Sequence, residues 1–119
     1  MRARLRRFAP GEALISDWVT TEVSSALALK VRTNTLTPAR SAIALAAYRD
    51  LFVRSFIVLP VTSDHFHAAA RYADQHALHL RAGDALHLAI AAAHRATLLT
   101  LDRRLLAACA ALGVAAETV

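Results

Sequence analysis

The sequence predicts an α/β fold with a parallel sheet. Short segments rich in β-branched and apolar residues alternate with helical stretches of ten residues or more, and connections of that length join parallel strands by crossover. Only three glycines and three prolines interrupt 119 residues, with no low-complexity linker or repeat, so residues 1–119 read as one domain. A chain of this size, 56% hydrophobic, can bury a core without disulfide or metal staples.

The elements follow in order. Arg2 to Phe8 reads as the tail of a helix, broken by Pro10-Gly11 before a short apolar run, Ala13 to Ser16, that suits a buried strand. Val19, Val23, Leu27 and Val31 recur every four residues and mark a helix that stops at Thr33-Asn34-Thr35. Thr37-Pro38 supplies an N-cap and a first-turn proline for a long helix towards Arg54. Phe56 to Val61 is the second strand, and Thr62-Ser63-Asp64 caps a helix with Phe66, Ala69, Ala70 and Ala73 on its inner side. Ala82-Gly83-Asp84 opens an apolar helix reaching about Arg95. Thr97 to Leu101 is the clearest strand, Asp102 caps a final helix closed by Gly113, and Val114 to Val119 adds a last strand.

Composition excludes several classes. No apolar stretch approaches the ~20 residues that cross a bilayer, and the arginine-rich start leads into no signal core. The single cysteine, Cys109, has no partner for a disulfide and no neighbours at zinc spacing, which points to a small buried residue and a reducing, cytoplasmic home. Fourteen basic against nine acidic residues give a net charge of +5, of which Arg2, Arg4, Arg6 and Arg7 supply four. That cluster reads equally as a phosphate contact or as a solvated helix end.

Functional crevices in open parallel sheets lie beyond the carboxyl ends of the strands. Asp102 follows a strand directly, Glu22 lies little more than a turn into the helix after the first strand, and Asp84 starts its own helix. Each also has a structural explanation. Asp102 and Asp84 can be N-caps worth about 1 kcal/mol, and Glu22 can be a solvated helix residue. Three carboxylates at one rim repel unless a cation sits among them, and Mg²⁺ or Mn²⁺, which take oxygen ligands and keep waters, suit phosphodiester hydrolysis there.

The strings Thr21-Glu22-Val23, Arg81-Ala82-Gly83-Asp84-Ala85-Leu86-His87-Leu88-Ala89 and Leu99-Thr100-Leu101-Asp102-Arg103-Arg104-Leu105 resemble the PIN domain, specifically the VapC-type toxins of bacterial toxin–antitoxin modules. The resemblance implies a metal-dependent endoribonuclease in a three-layer sandwich with strand order 3-2-1-4-5. It also implies an acidic Mg²⁺ (or Mn²⁺) pocket, a homodimer, and control by a VapB-type antitoxin. Carried over, Glu22, Asp84 and Asp102 take the metal-binding and catalytic positions and Thr100 the small hydroxyl position, with Arg81 and Thr100 facing RNA. The family's opening strand, ending in Asp-x-Ser or Asp-x-Thr, has no counterpart before Ala13, so the central strand and one metal ligand are expected to be missing from an N-terminally truncated domain. Asp17 is a poor substitute, because the family varies at that place. The alternative is an inactive PIN remnant that binds antitoxin or RNA without cutting.

Other groupings point to packing. His65 and His67 project about 200° apart on a helix, and His87 and His94 lie about 10 Å apart along theirs, so neither pair clasps one ion. Trp18 and Phe66 read as core, and Ser24-Ser25 has no nucleophile-elbow context.

Overall fold

Why these residues form alternating elements is visible in the computed structural model, which describes residues 13–118. The predicted helix over Arg2–Phe8, the Pro10-Gly11 break, the arginine cluster and Val119 lie outside the described residues. The order is β1 (Leu14–Ser16), α1 (Asp17–Arg32), α2 (Pro38–Ser55), β2 (Ile57–Leu59), α3 (Ser63–Asp74), a short 3₁₀ turn (His76–Leu78), α4 (Ala82–Ala93), β3 (Leu98–Thr100), α5 (Arg103–Leu112) and β4 (Ala116–Thr118). This is a mostly helical α/β chain with short parallel strands, consistent with a PIN-like fold. It divides into two compact units, residues 1–60 and 61–119.

In the first unit β1 and β2 pair in parallel, with Leu14 opposite Ile57 and Ser16 opposite Leu59. The α1 helix stops where Thr33 turns its hydroxyl back onto the Leu29 carbonyl at 2.9 Å and Asn34 takes a left-handed conformation, φ 58°. The α2 helix starts as its sequence predicts: the Thr37 hydroxyl accepts the Arg40 N–H at 3.2 Å, and Pro38, which has no N–H to satisfy, fills the first turn. The hydroxyls of Thr20 and Tyr48 meet at 3.3 Å and tie α1 to α2. Ser16 is the one fully buried residue among those described here. The predicted buried strand is therefore only partly buried, with Leu14 and Ile57 both exposed.

The second unit holds the core. Leu88 and Cys109 are completely enclosed, with Leu105 and Ala108 beside them and Tyr72, Leu78, Leu98, Leu112 and Val114 packed around. At about 25 cal/mol per Å², burying one leucine side chain stabilises by roughly 2 kcal/mol. The α4 helix, apolar as its sequence predicts apart from Asp84 and His87, buries six residues between Ala85 and Ala91. The β3 and β4 strands pair in parallel, Leu98 opposite Ala116 and Thr100 opposite Thr118. Gly113, at φ 73°, ends α5 in the left-handed region where a Cβ is costly.

The expected inner face of α3 needs correction: Ala70 and Ala73 are exposed, and of the four residues assigned to it only Ala69 is buried. Phe66 is not core but about half exposed, and the inner face of α3 is set by His65 and Ala69, both buried, with Tyr72 half-buried one turn on. The reason is local. His65 faces inward because its Nδ1 accepts the Thr62 N–H at 3.1 Å while the Thr62 hydroxyl accepts the His65 N–H at 3.4 Å, a reciprocal cap that satisfies a ring nitrogen apolar periodicity would have placed in water. Its ring also packs against His94, centroids 5.8 Å apart.

Candidate active site

The Thr-x-Asp segment after β3 is a compact hydrogen-bonded turn. The Thr100 hydroxyl accepts the Asp102 N–H at 3.0 Å, which folds the chain over Leu101 and turns the Asp102 side chain towards the start of α5. Asp102 Oδ1 then accepts the N–H groups of Arg104 at 2.8 Å and Leu105 at 3.3 Å. The N-cap reading of Asp102 thus holds, and it fixes the carboxylate: both cap bonds fall on one oxygen, and Oδ2 takes part in neither.

Asp84 behaves differently. Sequence reasoning also gave it a cap role, but Arg81 occupies the N-cap of α4 and Asp84 is the helix's third residue, inside its first turn. There its negative charge lies close to the unpaired N–H groups and positive dipole end of the helix. Both aspartates therefore sit at helix N-termini.

They line one open cleft of about 400 Å³, together with His79, Arg81 and Arg104, over the apolar side chains of Leu80 and Leu105. His79 and both arginines are exposed, and Asp84 is half-buried. Two carboxylates beside two guanidiniums make a locally balanced site in which neither charge type dominates. Thr100 is half-buried just before the cleft's Asp102, its oxygen engaged as an acceptor and its O–H still able to donate. Glu22 lies in the other unit, half-buried on α1.

The donor set suits a hard cation. Mg²⁺ is commonly held by one or two carboxylates, with waters and substrate phosphate completing its shell, and the cleft offers two aspartates and no sulfur ligand. Among the described residues, no three His, Cys, Asp or Glu side chains gather as a group able to hold a metal ion. Cys109 takes no part: burial pushes its thiol above the ordinary value, which keeps it protonated and inert.

His79 and Arg104 also line the cleft, and sequence reasoning did not single them out. Arg104 stood within the Asp102-Arg103-Arg104 string, and its place in the turn capped by Asp102 was the available signal. Nothing in the sequence marks His79, whose backbone adopts a left-handed conformation, φ 53° and ψ 35°, after the 3₁₀ turn. For a residue with a Cβ that conformation costs roughly 1–2 kcal/mol.

The chain has parallel strand pairs, and aspartates and arginines share one cleft where two helices begin. The PIN domain family model matches residues 1–111, and the chain belongs to that family. PIN domains are in general metal-dependent nucleases acting on nucleic acid. Among curated proteins, none matches the chain.

Proposed function

We propose that this chain is a Mg²⁺- or Mn²⁺-dependent endoribonuclease of the VapC type, the toxin of a toxin–antitoxin module held in check by a VapB-type antitoxin, acting as a homodimer in the cytoplasm. The observation that supports it most is the shared cleft of Asp84 and Asp102, each at a helix start, with Arg81 at its side. In this reading Asp84, Asp102 and Glu22 are the metal-binding and catalytic carboxylates.

A bound Mg²⁺ or Mn²⁺ supplies Lewis-acid charge at the phosphate and lowers the pKa of water. The chain's residues do the rest. Asp102, with one oxygen held by two backbone N–H groups, presents the other in a fixed direction, so little reorganisation is needed at the moment of reaction. Arg81 holds a phosphate oxygen of the RNA, and the Thr100 hydroxyl donates to another. Water adds to phosphorus and gives up a proton, the P–O bond to the leaving sugar oxygen breaks with its electron pair, and that oxygen takes up a proton from solvent.

The test is titration of Mn²⁺ into the purified chain by calorimetry, with Asp84→Asn alongside and RNA cleavage followed on the same samples. Binding and cleavage that both disappear in the variant support the reading; cleavage retained in Asp84→Asn and in Asp102→Asn overturns it. A second reading is a PIN module that binds antitoxin or RNA without cutting. A folded wild-type chain that binds RNA but neither Mn²⁺ nor cleaves supports that second reading.

A further inference from the structure

The basic residues outside the cleft are not spread evenly. Between Glu22 and Asp50 the sequence has no acidic residue and four basic ones, Lys30, Arg32, Arg40 and Arg49. Three of them meet at the turn that joins α1 to α2. Lys30 and Arg32 stand in the last turn of α1, and the chain folds back there: the Thr35 and Leu36 N–H groups both donate to the Lys30 carbonyl, at 2.9 and 3.1 Å. Arg40 follows as the third residue of α2. The turn between them is held by its own bonds, with the Thr33 hydroxyl donating to the Leu29 carbonyl at 2.9 Å and the Thr33 and Thr35 hydroxyls 3.1 Å apart. A fixed backbone thus carries three exposed cations.

Lys30 and Arg32 have a local reason to be there, since cations favour a helix C-terminus. Arg40 has none. It occupies the place where a capping box carries glutamate or glutamine, and where the helix dipole disfavours a positive side chain. Among the described residues no carboxylate pairs with any of the three, whereas Arg54, farther along α2, is held by Asp50 at 2.9 Å. Cations gathered without counter-charge raise the local potential and draw in a polyanion. We infer that the α1–α2 turn is a docking surface for the phosphate backbone of RNA, with Lys30, Arg32 and Arg40 each neutralising one phosphate. Residues 30–40 include no aromatic ring on which a base could stack, so the turn grips without selecting sequence. The surface belongs wholly to the first unit and shares no residue with the cleft. It rests on the reading of this chain as one that acts on RNA, and adds to that reading a second place of contact.

The experiment measures binding of a fluorescein-labelled single-stranded RNA of about 20 nucleotides over a range of salt concentrations, in EDTA so that metal-dependent cleavage is suppressed. The proteins are the wild type, the triple variant Lys30→Gln/Arg32→Gln/Arg40→Gln, Arg40→Glu alone and Arg71→Glu, which makes the same charge change at an exposed arginine of α3. Circular dichroism checks each fold. The triple variant is expected to flatten the log–log salt dependence by about 2, three phosphate contacts at roughly 0.7 each on a single strand. Arg40→Glu weakens binding and flattens the slope by about 0.7 or more, yet raises the midpoint of urea unfolding, because a carboxylate at that place suits both the capping box and the dipole. A merely structural arginine would not lose binding while the helix gains stability. Arg71→Glu keeps the wild-type slope. An unchanged slope in the folded triple variant overturns the inference, and so does an equal change in Arg71→Glu, which would trace the effect to net charge. Displacement of the RNA by poly-L-glutamate at equal charge concentration assigns the turn to an acidic protein chain and overturns it as well. Failure of the wild type to cleave any RNA in Mn²⁺ overturns the nuclease reading instead, and the slopes in EDTA still decide separately whether the turn binds RNA.

Discussion

Asp102 anchors the first turn of α5 through Oδ1, and that duty can be separated from any that needs its charge. Asparagine caps a helix about as well as aspartate, whereas alanine loses the cap. Asp102→Asn is therefore expected to retain stability within a few tenths of a kcal/mol, and Asp102→Ala to lose about 1 kcal/mol, both measured by urea denaturation. Nuclease activity should vanish in both. Cys109 gives a pH prediction. Burial raises its folded-state pKa above the ordinary 9.0. The folded chain thus holds this proton at a pH where the unfolded chain has released it, so the stabilisation is complete below 9.0 and is lost as pH rises through the folded-state value. Urea midpoints of the wild type should fall above pH 9, and those of Cys109→Ala should fall less over the same range.

At the scale of elements, the reciprocal cap between Thr62 and His65 holds the start of α3. Thr62→Ala removes the hydroxyl and should cost about 1 kcal/mol in thermal or urea unfolding. The α4 helix depends on tight packing more than on caps, since Arg81 makes no side-chain cap bond and Leu88 is fully enclosed. Leu88→Ala should cost 2–5 kcal/mol, the usual range for a leucine deletion in a packed core. The helix starts were readable in advance because capping chemistry is local: Thr37-Pro38, Thr62 and Asp102 all mark them by residue type. The inner face of α3 was not, because apolar periodicity assigned it to Phe66 while a histidine with a satisfied Nδ1 took the buried position.

For the whole molecule, the alternation of strands and helices and the α/β class were legible in hydrophobic pattern. Among the described residues β1 pairs with β2 and β3 with β4, in two separate two-stranded parallel sheets. Asp84, Asp102 and Arg81, which line one cleft, stood out in the sequence because the motif strings contain them. His79 did not, because a left-handed histidine leaves no periodic trace. Burial is distributed unequally between the units, with every fully buried apolar residue among those described lying between Ala69 and Cys109. Amide hydrogen exchange should accordingly be slowest in α4 and α5 and fastest in α1 and α2; equal protection in all four helices would contradict this distribution. The double attachment of Asp102 also bears on descent. A lineage that no longer cuts nucleic acid still needs the first turn of α5 closed, so selection for folding alone keeps aspartate, asparagine, serine or threonine at that position. An aspartate at position 102 therefore reports a helix start whether or not the cleft still cuts, whereas Asp84 does not occupy the N-cap of α4 and is the more telling position.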